Sequence, residues 1–410
     1  MPEPVFILGG HQTDFARVWS REGCDISNMI ETATRAALDD AAVEPDKIQS
    51  IHVGNAFAEL QRNQAHLGSM VAQVVPELYG VPAMRHEGAC ASASLAVLAA
   101  TAEIEAGRYD CILVVGAEEL KNLPGDVSSA NQNAAGWQGH EGIECRFLWP
   151  AVFGRLAGVY ADRYGLDRRH LNRIAEINYS NAKRNPNAQT RKWRFDPLAF
   201  TDDDVANPLI EPGTRRQDCG QITDGATALV LASGRFAREH AKRTGRSVER
   251  TPRIEGWGHR NGGLRFLDKV ERSHGQQYVF PHVRQAITEA WGRAGLSGLD
   301  AIDAIETHDC FTSTEYMAID HFGLTAPGQS WKAVEEGHIA LGGKLPVNPS
   351  GGLIGGGHPV GATGARMLLD ACKQVTGNAG AYQVEGAKRV ATLNIGGSLG
   401  TVVSFVVAAQ

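Results

Sequence analysis

A thiol, an imidazole and a second thiol stand in this chain in surroundings that suit covalent catalysis. The imidazole is His358, which ends the run Asn348-Pro-Ser-Gly-Gly-Leu-Ile-Gly-Gly-Gly-His358. Pro359 follows at once, and from Val360 to about Gln374 the pattern becomes helical. Proline suits the first helical position, where its missing N–H would go unpaired anyway. Glycines tolerate unusual dihedrals and leave room for close backbone approach. The loop can therefore set His358 at a helix N-terminus, within reach of something bulky. The bland alternative is a glycine turn with an incidental histidine. A dinucleotide fingerprint does not fit, since no strand precedes the glycines and the spacing differs.

The first thiol is Cys90, in Glu87-Gly-Ala-Cys-Ala-Ser-Ala-Ser94. From there to Ala106 the residues are almost all Ala, Leu, Val or Ile, with Gly107 as a C-terminal stop. A helix apolar on all sides belongs in a core. At its N-terminus, the dipole and a neighbouring imidazolium would lower the thiol pKa, while burial would raise it, so activation requires the histidine. The alternative is a buried structural cysteine, the commoner fate of a free thiol. The second thiol is Cys310, in Glu306-Thr-His-Asp-Cys-Phe311, which ends the apolar run Ile302 to Ile305. His308 and Cys310 then lie at a strand end, where chemistry gathers in α/β sheets. A metal site is the rival, weakened because no second Cys or His falls at short ligand spacing.

In order and spacing these residues resemble the thiolase superfamily, over essentially the whole chain. Cys90-Ala-Ser92 matches the nucleophile motif and Gly357-His358-Pro359 the histidine motif. His308-Asp-Cys-Phe311 resembles the variant of sterol-carrier-protein-type thiolases, where most thiolases carry Asn-Glu-Ala-Phe. Most thiolases also carry a second catalytic cysteine in a C-terminal Cys-x-Gly, and here Asn394-Ile-Gly396 stands in that place. The sterol-carrier type shares this departure, and in it the cysteine of His-Asp-Cys-Phe takes over the acid/base role.

The resemblance implies a thiolase fold: two pseudo-symmetric αβ halves stacked as five α/β layers, with the helix of Cys90 central and an inserted loop subdomain that covers the site and binds coenzyme A. It implies an acyltransferase. A 3-oxoacyl-CoA would be cleaved thiolytically to acyl-CoA plus acetyl-CoA (or propionyl-CoA), or made by the reverse Claisen condensation, through an acyl-Cys90 intermediate. His358 would take the thiol proton and Cys310 would protonate the enolate. His358 with His308 or a water would serve the enolate oxygen, and the N–H groups of Cys90 and Gly396 the tetrahedral intermediate. Asn394 would orient Cys310 or a water. Coenzyme A is then a co-substrate, with no permanently bound cofactor and no metal. A homodimer or dimer of dimers is expected, with an OB-fold partner protein open. Two other readings stand beside this one. A thiolase-like aldolase would act on acyl-CoA side chains with an OB-fold partner, but such proteins lack the thiol nucleophile. A non-catalytic acyl-CoA-binding subunit would leave Cys90 no more reactive than Cys111 or Cys372.

The 410 residues allow two or three domain-sized units and a large core. A hydrophobic share of 43% and a charged share of 21% are ordinary for a soluble globular enzyme. The net charge of −6 gives no reason to expect nucleic acid, and no apolar run is long enough to span a membrane. Seven cysteines, odd in number, point to a reducing compartment without disulfides. Met1-Pro-Glu-Pro is unlike a targeting leader and Val407-Ala-Ala-Gln410 unlike a peroxisomal signal, so the expected place is cytoplasmic.

Those residues need a frame, and the pattern supplies one twice. Val5 to Leu8 and Ile48 to Val53 read as strands, Asn28 to Ala42 as a helix capped by Ser27, Gln61 to Val75 as a helix, and Cys111 to Gly116 as a strand. In the second half, helix Val283 to Ala294 and strand Ile302 to Thr307 lead into His308-Asp-Cys-Phe311, the counterpart of Gly54-Asn-Ala-Phe57 at the same offset. Val390 to Leu393 answers Ile112 to Val115, and Gly400 to Val407 answers Gly225 to Ala232. The predicted halves are 1–119 with 223–265, and 266–410, with an insertion at 120–222. The insertion includes a helical stretch, Tyr160 to Tyr179, and a basic, aromatic cluster: Arg184, Arg191, Lys192, Trp193 and Arg194, followed by Arg215. Cations and a stacking ring suit the phosphates and adenine of coenzyme A.

Overall fold

The computed structural model describes residues 3–409. The first half runs through β1 (Val5–Gln12), α1 (Ile26–Ala41), β2 (Ser50–Gly54), α2 (Ala58–Arg62), α3 (Leu67–Val74), β3 (Ala83–His86), α4 (Ser92–Glu105) and β4 (Cys111–Glu118). The insertion adds α5 (Gly125–Gln132), α6 (Leu148–Tyr164), α7 (Arg168–Ala182) and a hairpin, β5 (Leu209–Glu211) with β6 (Thr214–Arg215). β7 (Gly225–Ser233) and α8 (Gly234–Thr244) complete that half. The second half begins before the expected residue 266, because β8 (Arg253–Asn261) pairs with its last strand; it continues with α9 (Phe266–Arg272), α10 (Pro281–Arg293), β9 (Ala304–Thr307), α11 (Thr312–Phe322), α12 (Ser330–Glu335), α13 (Gly352–Gly356), α14 (Thr363–Thr376), β10 (Arg389–Gly396) and β11 (Thr401–Ala408).

Nine strands form one sheet, in the order β3-β2-β4-β7-β1-β8-β11-β10-β9. The repeat is written in its ladders. β1–β7 and β8–β11 are antiparallel, as are β4–β7 and β10–β11, while β2–β4 and β9–β10 are parallel. Even β3 has a remnant of a counterpart: it pairs β2 at Ile51↔Ala83, and Val347 bridges Ile305 in the second half. The two half-sheets join through the pairs Val5↔Ile254 and Phe6↔Arg253.

Alternation along β4 sends Cys111, Leu113, Val115 and Ala117 outward to α1 and α3, and Ile112 and Val114 inward to α4 and α14. Val403 and Phe405 of β11 reach the same inner cluster from the other half. α4 and α14 are therefore the middle of five layers, between α1 with α3 and α10 with α11. The helix of Cys90 lies tight on β2: a Cβ at Gly54 would come within 2.5 Å of the Ala93 backbone.

Several local expectations change. The cap of α1 is Asp25, whose carboxylate accepts from Ser27 N at 2.8 Å, so Ser27 lies inside the helix. The helix expected over Gln61 to Val75 is split into α2 and α3, with Asn63 and His66 at φ +53° and +60° between them. Tyr160 to Tyr179 also spans two helices: α6 stops at Gly165, and Asp167 caps α7 by accepting from Arg169 N at 2.8 Å. The insertion does not stand on a core of its own. Leu156 and Tyr160 of α6 and Leu171 and Ile174 of α7 are buried in the cluster that holds α10 and α11. Among the described residues no helix is long and apolar enough to cross a membrane.

Candidate active site

After β3 the chain enters a 3-10 turn, Ala89–Ala91, ahead of α4. Ala89 has φ +50°, an uncommon conformation for a residue with a Cβ. It is held there by Glu87, which accepts from Ala89 N at 2.6 Å, and by Ser92 Oγ, which donates to Ala89 O at 2.6 Å and accepts from Gly88 N at 3.1 Å. This elbow presents Cys90. The second half repeats the device, with a 3-10 turn Val360–Ala362 before α14, and His358 stands just ahead of it.

Cys90 Sγ and one ring nitrogen each of His308 and His358 lie within 4.8 Å of one another. The two rings meet edge to face, 5.3 Å between centroids. His358 Nδ1 is 2.7 Å from Thr363 Oγ1, which is itself 3.1 Å from Pro359 O. The hydroxyl has one proton, and the carbonyl can only accept it. The network therefore assigns the ring proton to Nδ1, which donates to Thr363. Nε2 is left as a bare lone pair, buried and without a partner. His308 is arranged the other way. Ser94 Oγ donates to Asn394 Oδ1 at 2.8 Å, so Asn394 Nδ2 donates to His308 Nδ1 at 3.1 Å and the His308 proton sits on Nε2. An acceptor ring and a donor ring thus meet beside one thiol. A thiol with two imidazoles is also the composition of a three-ligand zinc site, a gathering that spacing along the chain could not show.

Of the opposing effects on the thiol, burial prevails. It pushes Cys90 up to about 12, against the backbone N–H of Gly397. Burial pushes His358 down to about 3, and Arg366 adds to this. Burial, then His358 and Arg366, also hold His308 well below the usual imidazole value. The resting site is a neutral thiol between neutral imidazoles. The N–H beside the sulfur belongs to Gly397, one residue beyond the expected Gly396. Gly396 instead packs on Gly88, where a Cβ would come within 2.0 Å of the Gly88 carbonyl oxygen.

Cys310 follows β9 and lines the same cavity, of about 140 Å³, as Cys90, His358 and Gly397. Its loop is anchored from below by Asp309, which is buried and accepts from Leu353 N at 2.6 Å, Ile354 N at 3.3 Å and Asn178 Nδ2 at 2.9 Å. That carboxylate ties the loop to the glycine run through α13. Burial, then neighbouring Cys90 and Asp309, push the Cys310 thiol well above its ordinary value. In the first half, Glu118 plays the corresponding part. It accepts from Asn55 Nδ2 at 2.9 Å, Ala56 N at 2.9 Å, Phe57 N at 3.1 Å and Gly361 N at 3.0 Å. Burial raises its pKa to about 7 against four N–H donors that fit the carboxylate. The backbone N–H of His358 donates to Thr223 Oγ1 at 2.9 Å, and Gln189 N and Thr190 N donate to Gly356 O at 2.8 Å and Gly355 O at 3.2 Å, so the insertion also steadies the histidine loop.

Residues 5–204 match the thiolase N-terminal domain, and residues 267–409 the thiolase C-terminal domain-like family. An acetyl-CoA acetyltransferase of Methanothermobacter thermautotrophicus is 32% identical over 405 residues, which cover 97% of each chain. The chain belongs to the thiolase family. Sterol carrier protein 2 of Bos taurus is 27% identical over 403 residues, 96% of this chain and 70% of that one. Among solved structures, an Ltp2-ChsH2(DUF35) aldolase is similar with a TM-score of 0.76 at 20% identity, covering 100% of this chain and 98% of the other. Human mitochondrial 3-ketoacyl-CoA thiolase in complex with CoA gives 0.69 at 16% identity, again covering 100% and 98%. Both likenesses speak to the fold.

In this thiolase-family chain the basic cluster lies apart from the cavity. None of Arg184, Arg191, Lys192, Trp193, Arg194 and Arg215 lines it. Arg191 pairs with Asp14 at 2.7 Å and Arg215 with Asp204 at 2.8 Å, while Arg184, Lys192, Trp193 and Arg194 are exposed. The insertion instead brings aromatic walls that sequence reasoning missed. Phe153 stacks on Phe311 with 4.8 Å between centroids, and Trp149 is pinned by its Nε1 donating to Gln132 O at 3.1 Å. Thr363 and Ser94 were missed as well. Each lies near a recognised residue, Thr363 five after His358 and Ser94 four after Cys90, but the 3-10 turns that aim them carry no sequence signal.

Proposed function

We propose that the chain is a working thiolase that cleaves 3-oxoacyl-CoA with coenzyme A, or runs the reverse condensation, through an acyl-Cys90 intermediate. The observation that carries this reading is the unpartnered Nε2 of His358, its tautomer set by Thr363, on a ring with a nitrogen within 4.8 Å of the Cys90 thiol. The Cys90 proton passes to His358 Nε2 as sulfur attacks the keto carbon. This transfer, made during attack, suits a pair that is neutral at rest. The N–H groups of Cys90 and Gly397 receive the tetrahedral oxyanion, where donors aimed at developing charge do most. Collapse breaks the carbon–carbon bond and leaves acyl-Cys90 and the enolate of acetyl-CoA. His308 Nε2–H meets the enolate oxygen, and Cys310 S–H protonates the carbon. Incoming coenzyme A returns a proton to Cys310 and takes the acyl group. Cys90 leaves as thiolate and recovers its proton from His358.

Incubation with acetyl-CoA followed by peptide mass spectrometry tests the reading. The acetyl group is expected on the Cys90 peptide, and acylation confined to another of the seven cysteines would refute it. Coenzyme A is the co-substrate in this scheme, and each step is assigned to side chains or backbone groups of the chain itself.

A further inference from the structure

The catalytic cavity adjoins a larger one, and one side chain stands between them. The second cavity, of about 330 Å³, lies beyond the elbow and is walled by Gly88, Ala89, Leu264 and Thr401. Phe57, Ala135 and Gly397 line both cavities. Of these three, Phe57 is the one with a bulky side chain. It is buried, at 4% exposure, and packs with Leu120 and Val360 beside Cys90. Its position is not adjustable by a small loop shift, since Phe57 N donates to the Glu118 carboxylate that also holds Asn55, Ala56 and Gly361.

Size decides what the first cavity can take. An apolar cavity of about 150 Å³ holds a benzene, about six non-hydrogen atoms. An acetoacetyl group has the same number, and the catalytic cavity is of that size, about 140 Å³. Its other walls are firm: Phe153 is stacked on Phe311 and Trp149 is hydrogen-bonded. The cavity is open on one side, which the coenzyme A moiety must take, so a longer acyl tail needs further room, and the adjoining cavity is the space on the far side of Phe57.

We infer that Phe57 is the partition that restricts this enzyme to short 3-oxoacyl chains, of about four carbons, and that removing its ring opens the second cavity to longer tails. The inference rests on the thiolase reading. Phe57 touches no reacting atom in this scheme. It sets specificity by excluding volume.

The test uses the full chain, wild type and the variants Phe57→Ala and Phe57→Leu, with acetoacetyl-CoA, 3-oxohexanoyl-CoA and 3-oxodecanoyl-CoA as substrates for coenzyme A-dependent cleavage. A pocket discriminates by roughly 10–200-fold per methylene misfit. The wild type should therefore use 3-oxodecanoyl-CoA at least about 100-fold less well than acetoacetyl-CoA in kcat/KM. Phe57→Ala should narrow that ratio at least about 10-fold, and Phe57→Leu, the safer variant for folding, by a smaller factor. In parallel, decanoyl-CoA should acylate Cys90 in Phe57→Ala and not in the wild type. A flat chain-length profile in the wild type overturns the inference. So does an unchanged ratio in a folded variant that still cleaves acetoacetyl-CoA. Failure of every CoA ester to acylate wild-type Cys90 has a different signature, and overturns the thiolase reading together with the inference.

Discussion

Thr363 Oγ1 lies 2.7 Å from His358 Nδ1 while its own proton is drawn to Pro359 O, 3.1 Å away. All three residues belong to the few that carry the chain from the glycine run into α14. The tautomer of the base is thus fixed by the path of its own backbone. Distant packing touches His358 itself through Thr223, which accepts from its N–H.

Thr363→Val keeps the shape and removes the hydroxyl. Nδ1–H then loses its acceptor, and the ring can rotate or exchange its proton. Partners that orient metal-bound imidazoles typically contribute about 10–100-fold, and we take the same scale here. We expect kcat to fall by that factor with KM little changed, and Thr363→Ser to restore most of it. Equal loss in the serine variant would mean that the methyl group, and not the hydroxyl, matters.

Cys310→Ala should lose roughly 10²–10⁴-fold in turnover, the usual contribution of a positioned acid/base. Cys90 should still accept an acyl group from a simple acyl-CoA. Exchange of the α-protons of acetyl-CoA with solvent deuterium isolates the step. Exchange at the wild-type rate in Cys310→Ala would move the role to another group, with His308 first in line.

The pH profile follows from the two shifts at the centre. His358 is a base whenever it is unprotonated, and its pKa is pushed down to about 3, so the competent form persists through the acid range. Cys90 keeps its proton until about 12. The kcat/KM of the free enzyme should be flat from about pH 5.5 to 9, with no limb near the ordinary imidazole value. A limb centred near 6.5 would show an imidazole that titrates in water. The same depression has a sign for stability. The folded state prefers neutral His358 and the unfolded chain takes up its proton below about 6.5, so this contribution is complete above that pH and is lost as pH falls toward about 3. His358→Asn should flatten that part of the denaturation-midpoint curve.

Glu118→Gln tests the buried anchor. A carboxylate can accept from all four N–H groups around it, whereas the amide turns its own NH2 toward two of them. Buried donors left unpaired cost about 1–3 kcal/mol each. We expect a loss of about 2–4 kcal/mol in urea unfolding with an unchanged slope, and a fall in activity from the loosened Asn55–Phe57 and Gly361 loops. A stability within about 0.5 kcal/mol of wild type would show that the site already holds a protonated carboxyl.

The convergence of Cys90, His308, Cys310 and His358 was legible because each stands in a short run whose neighbours dictate its backbone: a helix start, a strand end, a glycine loop. The repeat was legible because strand and helix periods recur at fixed offsets. What was not legible depends on paths that cross the chain. Asn394 reaches His308 through a hydrogen bond set by Ser94 on α4, and so serves a different partner from the Cys310 or water expected of it. The donor beside the sulfur is Gly397 because close approach to Gly88 occupies Gly396. In the basic cluster, the pairing of Arg191 with Asp14 and of Arg215 with Asp204 depends on the fold and not on composition. The break between α2 and α3 lies at Asn63 to His66, where no glycine or proline marks it.

The turn Ala89–Ala91 before α4 and the turn Val360–Ala362 before α14 are equivalent stations of the repeat, so Cys90 answers to Gly361. By the same rule Gly54 answers to His308 and Ala56 to Cys310. A frame doubled in backbone therefore carries a single complement of reactive groups, divided between its halves. The consequence is one of stoichiometry and dependence. On the proposed mechanism each chain is expected to load one acyl equivalent rather than two, and neither half, expressed alone, would hold both Cys90 and His358.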